Sequence, residues 1–205
     1  MKKILSIVMM LAGLASCLNA QNINKVSFAC NEQAVFLTTE GSLPYTVIEI
    51  PGATAEELYG KVMYYLKLSN FEADDDIFGS RYRIKYLENE RISIETVIKE
   101  AYYEKVMGIN FDKHLSCRYS LQFRDGRLRI DAPVIKSVIT DDPVKKGSDE
   151  SISRTSFREV VRQFYKDGSV RESKQRQYNG VIDAVNKELN NIIECSLHPR
   201  VPEQW

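Results

Sequence analysis

Charge of one sign is missing from this chain. Lysine and arginine number 28, as do aspartate and glutamate, so the net charge is zero and nothing draws the protein towards nucleic acid. Long apolar stretches are missing too. The run 4–14 has eleven residues, where a membrane-spanning helix needs roughly 20. Histidine and cysteine are few. His114 and Cys117 form an H-x-x-C pair, but no second pair stands at zinc-ligand spacing, and His198 lies alone near a proline-containing tail. Residues three apart on a strand also point to opposite faces. No G-x-S-x-G elbow, H-E-x-x-H helix, P-loop or dinucleotide-binding glycine pattern occurs. That excludes the common motif-bearing hydrolases and nucleotide enzymes, and the sequence nominates no catalytic, cofactor-binding or metal residues. A Cys–His nucleophile pair stays open, because such partners meet only in space.

What is present begins with an address. Lys2 and Lys3 give a basic start, the apolar run follows, and small residues come next, so residues 1–20 read as a secretory signal peptide. Two cleavage sites compete. Leu14-Ala15-Ser16-Cys17 fits the lipoprotein pattern, with Cys17 as the lipidation candidate; Leu18-Asn19-Ala20 before Gln21 fits ordinary signal-peptidase cleavage. The expected location is the periplasm or cell envelope, with membrane contact only through a lipid on Cys17. In that case more than twenty residues of tether would precede the first clear strand. Cys30, Cys117 and Cys195 remain beyond the signal in a compartment that permits disulfides. Their odd number leaves at least one free. Cys117 fits a buried thiol, and a Cys30–Cys195 bridge is an alternative.

Residues 21–42 form a lead-in with at most one short strand near 34–38. The core, 43–140, starts with a strand over 45–50 stopped by Pro51-Gly52. Thr54 and Glu57 make a capping box, and Leu58, Val62, Tyr65 and Leu66 recur at helical spacing over 54–70. Glu72 to Asp76 is acidic. An EF-hand begun at Asp74 fails, since Phe78 and Lys85 occupy ligand positions, so the segment reads as a solvated loop. Strands are expected over 81–86 and 92–99, with 100–106 undecided between strand and helical turn. Cys117, Tyr119, Leu121 and Phe123 alternate up to Asp125-Gly126, and Leu128, Ile130 and Ala132 alternate after it. This is a hairpin with a tight turn, over 116–124 and 127–135. The segment 141–173 reads as a polar loop and a short helix capped by Ser156 and Glu159, ending at Asp167-Gly168. A closing helix and tail take up 174–205.

The fold class is therefore α+β: an antiparallel sheet of about five strands in β-α-β-β-β-β-α order, with two helices covering one face. The segment from Tyr45 to Tyr59 (YTVIEIPGATAEELY) and the hairpin Tyr119 to Arg127 (YSLQFRDGR) resemble the DUF4468 domain of exported Bacteroidetes proteins. The resemblance covers roughly 43–139 and implies a TBP-like fold. It brings no activity, and the shape itself does not import DNA binding.

Arg81, Arg83 and Lys85 alternate with Tyr82, Ile84 and Tyr86, which places a basic strand face opposite a core face; Arg124, Arg127 and Arg129 extend it. The same residues also suit an ordinary wet sheet face. The expected function is a non-catalytic module binding an envelope protein, peptide or glycan through these binding-face candidates. A hydrolase of unrecognised type, or an inhibitor or assembly factor of an envelope complex, are the alternatives.

Overall fold

A computed structural model describes residues 25–72, 81–87, 91–143, 145 and 151–198. The expected signal peptide with Cys17, the acidic residues 73–76, the expected turn at 88–90 and the tail from 199 onward lie outside the described residues.

Ten strands and three helices follow one another among the described residues: β1 (Phe28–Cys30), β2 (Phe36–Thr38), β3 (Tyr45–Glu49), α1 (Ala55–Glu72), β4 (Tyr82–Leu87), β5 (Arg91–Val106), β6 (Ile109–Arg124), β7 (Arg127–Asp141), β8 (Ile152–Ser156), α2 (Phe157–Phe164), β9 (Tyr165–Lys166), β10 (Ser169–Val170) and α3 (Gln175–Leu197). The main sheet has six strands in the order β3-β7-β6-β5-β4, with β8 pairing β7 beyond β3. Every pairing in it is antiparallel. The five expected strands are present, β5, β6 and β7 are longer than expected, and β8 adds a sixth.

The extra length has local causes. The undecided residues 100–106 continue β5, and Met107-Gly108 turns the chain with φ of 49° and 87°. Two successive positive φ angles make the kind of turn that matches strand twist, but Met-Gly lacks the usual Asn or Asp signal. Pro133 sits inside β7 at a register shift, where the ladder skips from Asp131 to Val134. A bulge is the place where a strand tolerates a proline, so β7 runs past the expected end at 135.

Both long helices lie on one face. Leu58, Val62 and Leu66 of α1 and Val181, Val185, Leu189 and Ile192 of α3 are buried with Cys117, Tyr119, Leu121 and Phe123 of β6. Tyr59 meets Phe123 edge-on at 5.6 Å, and the Tyr119 hydroxyl donates to the Val185 carbonyl at 3.0 Å. The alternation of β6 thus commits one face to the helices, and truncating a side chain such as Leu121 to alanine would cost roughly 2–5 kcal/mol.

The α1 capping box forms as expected: Glu57 N–H donates to Thr54 Oγ1 at 3.2 Å, and Thr54 N–H to Glu57 Oε2 at 2.9 Å. The Ser156 box does not. Ser156 ends β8 and makes no side-chain cap bond, and α2 stops at Phe164; Asp167-Gly168 instead turns the β9–β10 hairpin.

The lead-in holds two strands, where at most one was expected. The outer edge of this segment is paired with side chains of α3, which no local pattern announces. Asn190 exchanges hydrogen bonds with Val26 (2.9 and 2.7 Å), and Asn186 does the same with Phe28 (2.9 and 2.9 Å). Four helical residues rise roughly 6 Å and two strand residues roughly 6.6 Å, so two amides one turn apart match alternate residues of an extended chain. The Tyr165 and Tyr178 hydroxyls both donate to the Cys30 carbonyl, at 2.6 and 2.8 Å. All three cysteines among the described residues are free, so Cys30 and Cys195 are not bridged.

Candidate functional site

The sheet face turned away from the helices is the site the sequence reading pointed to. Directly opposed residues in an antiparallel ladder share a face, so the register lays out its surface. Arg83, Glu95, Arg118 and Val134 form one row; Lys85, Ser93, Ser120, Asp131 and Tyr45 form the next. Arg91, Gln122, Arg129 and Val47 form a third, and Arg124, Arg127 and Glu49 a fourth. Lys136 joins them from the second bulge of β7, its Nζ 2.6 Å from Glu95. Eight cations thus face three carboxylates, in a chain whose total charge is zero.

The carboxylates serve as bridges between cations. Glu95 accepts from Lys136 and Lys85, which hold its carboxyl below the ordinary carboxylate range. Asp131 takes Arg91 and Arg129, and Arg129 also lies over the Tyr45 ring at 4.1 Å. Arg83, Arg118 and Arg124 are exposed and carry no ion pair among the described residues. An uncompensated set of like charges on one surface sets up a field that an approaching anion relieves.

Two of the three sequence candidates stand on this face. Arg83 projects from it unpaired, and Lys85 is paired with Glu95 at 3.2 Å. Arg81 departs from it. Arg81 precedes the first paired residue of β4, and its guanidinium lies 3.6 Å from Glu188 of α3 and 5.2 Å from the centre of the Tyr82 ring. Glu188 also accepts from the Tyr82 hydroxyl at 2.7 Å, so Arg81 belongs to a polar cluster that ties β4 to α3. Strand alternation had placed Arg81 with its neighbours; the ladder begins one residue later. Arg91, Arg118 and Lys136 were not singled out from the sequence. Their signal was the alternation itself, since Arg118 lies between Cys117 and Tyr119, but only the pairing of distant strands collects them on one surface.

The H-x-x-C pair does not make a nucleophile. Cys117 faces the core, fully buried, and burial pushes its thiol up to about 12. His114 is buried, and its Nδ1 accepts the Glu100 N–H at 2.9 Å. Burial lowers its pKa, against the pull of Asp141 and Asp112. The thiol therefore stays protonated at neutral pH, and the histidine's Nδ1 lone pair is taken by the Glu100 N–H. Among the described residues no cluster of three or more histidine, cysteine or acidic side chains is placed to hold a metal ion.

No protein-family model matches the chain, and no curated protein does. Two solved structures are similar to it. One is a TBP-like protein from Parabacteroides distasonis ATCC 8503, with a TM-score of 0.50 and 11% identity over 75% of this chain and 91% of that one. The other is a DUF4468 family protein from Bacteroides ovatus ATCC 8483, with a TM-score of 0.51 and 10% identity over 78% of this chain and 88% of that one. At this identity the likeness is one of fold. The chain has the TBP-like α+β architecture, and a DUF4468 protein shares it, as the 45–59 and 119–127 segments led us to expect.

Proposed function

We propose that the protein is a non-catalytic binding module of the cell envelope whose open sheet face takes an acidic protein or peptide. The observation that carries this reading is the concentration of eight cations on that face of a neutral chain. The face is broad, with Arg83, Arg118, Arg129 and Lys136 all exposed, and it suits an extended partner better than a small one. Export through residues 1–20 is part of the proposal. Val26 is already fixed to α3, so a lipid on Cys17 would leave residues 18–25 as the tether, about 28 Å when extended. This is shorter than the twenty residues and more expected from the sequence.

The test is capture of a polyglutamate peptide and of envelope-extract proteins by the mature protein, whose first residue is read by intact mass. Arg83→Glu with Arg118→Glu should abolish capture, and raised salt should weaken it in the wild type. Unfolding free energy should shift by no more than about 0.5 kcal/mol, as for exposed substitutions generally. Unchanged capture by the folded double variant would refute the reading, and retention of an acidic polysaccharide in place of peptides would change the partner class.

A further inference from the structure

A groove of about 700 Å³ opens between the first turns of α3 and the part of β5 that lies beyond the end of β4. It shares no residue with the basic face. Three departures from local rules meet in it. First, β5 bulges: between the pairs Ile98–Leu115 and Tyr102–Lys113 it carries two more residues than β6, and Glu100 there has a φ of 48°. A left-handed conformation in a residue with a side chain is strained and persists only where its surroundings fix it. Here buried His114 fixes it through the Glu100 N–H. Second, a glycine stands inside α3, where it costs about 1 kcal/mol relative to alanine. A Cβ on Gly180 would come within 3.0 Å of Tyr102 Cβ and 3.2 Å of the Ala101 carbonyl oxygen, so the helix is pressed onto the bulge. Third, Gln177 Oε1 is buried with no hydrogen-bond partner among the described residues, and a native structure leaves few such atoms. Rule-breaking of this kind is expected to gather at functional sites.

The walls are held in place. Glu104 takes both Lys174, which precedes α3, and Lys113 of β6, at 3.2 and 3.3 Å. Arg176 lies over the Tyr103 ring at 4.6 Å.

We propose that this groove binds a saccharide. Its polar lining is mixed: Glu100, Glu172 and Asp183 accept hydrogen bonds, Arg176 donates them, and Gln177 and Asn179 do both. A hydroxyl group also donates and accepts, so a ring with several hydroxyls answers both the donors and the acceptors of this lining. A cationic ligand would face Arg176 and the amide N–H groups with nothing to offer them. Ala101, Tyr102 and Tyr103 supply the apolar surface that the C–H face of a sugar ring needs. The volume lies within the range of small-ligand sites.

The test is an amide-resolved NMR titration of the mature protein with glucose, N-acetylglucosamine and glucuronate, and with an Arg-Lys dipeptide. At least one saccharide should shift the signals of residues 100–103 and 175–183. Gln177→Leu should weaken that saccharide roughly tenfold, the worth of one buried hydrogen bond. Its thermal midpoint should hold or rise, because it removes an unpaired buried carbonyl. Arg83→Glu with Arg118→Glu should leave saccharide binding intact, which separates this site from the basic face. The proposal is overturned if no saccharide moves the groove signals, if only the dipeptide does, or if Gln177→Leu binds as tightly as the wild type.

Discussion

At one corner of the molecule the N-terminus of α1 meets the Asp125-Gly126 turn; at another, α3 runs beside the β5 bulge and the N-terminal strand. The first corner follows local rules. Thr54 and Glu57 cap each other, Asp125 Oδ1 accepts the Ala55 N–H at 2.8 Å, and Gly126 N–H donates to the Ala53 carbonyl at 2.8 Å. The Thr54, Ala55 and Glu57 N–H groups, three of the orphan donors of the helix end, thus find partners close at hand or in one tight turn. At the second corner side-chain amides replace a strand, a histidine fills a ladder gap, and a glutamine carbonyl has no partner among the described residues. One corner is built for stability with redundancy. The other depends on few, partly buried contacts, so single changes should weigh more there.

The largest effect should come from Asn186→Ala with Asn190→Ala. Together they remove four hydrogen bonds to the Val26 and Phe28 main chain, and urea unfolding should show a loss of about 3 kcal/mol. A loss below about 1 kcal/mol, the size of a single surface cap, would erase the contrast between the corners.

His114→Ala should cost about 2 kcal/mol by leaving the Glu100 N–H unpaired. The wild type should also show a pH signature. Burial lowers the folded-state pKa of His114 below its ordinary value of 6.5, so the unfolded chain binds the proton first. The stabilisation is complete above 6.5 and falls as the pH drops from there to the lower folded value. Unfolding measured across this window should show the decline in the wild type and not in His114→Ala. A decline confined to the acidic side of 4.5 would belong instead to Glu95 and Glu104, whose carboxyls are held low by lysines.

The smallest effect should be at the first corner. Thr54→Ala removes one cap from an exposed helix end, with Asp125 still in place, and should cost about 1 kcal/mol or less. A loss matching the asparagine pair would mean that the corners are built alike.

The same contrast governs what could be read from the residues. The capping box, the Asp-Gly turn and the alternation of Cys117, Tyr119, Leu121 and Phe123 are short-range patterns, and they gave the sheet, the α1 helix and the direction of its buried face. Arg83 and Lys85 followed from the same alternation. Arg118 and Lys136 joined them only when β5, β6 and β7 paired. The grip of Asn186 and Asn190 on the lead-in had no local signature, because asparagine in a helix usually marks a solvated position and its partners lie 158 and 164 residues away. Gly180 weakens its helix by local rules, and only the neighbouring bulge explains its place there.

That separation along the chain also sets an order of assembly. Val26 and Phe28 emerge from the ribosome near the start of synthesis, yet their partners on α3 are made near its end. Closing so long a loop yields nothing until the intervening sheet has drawn its ends together. The arm that carries Val26 and Phe28 therefore stays undocked while the rest of the chain is made. A part of the chain that is made early is thus among the last to be fixed.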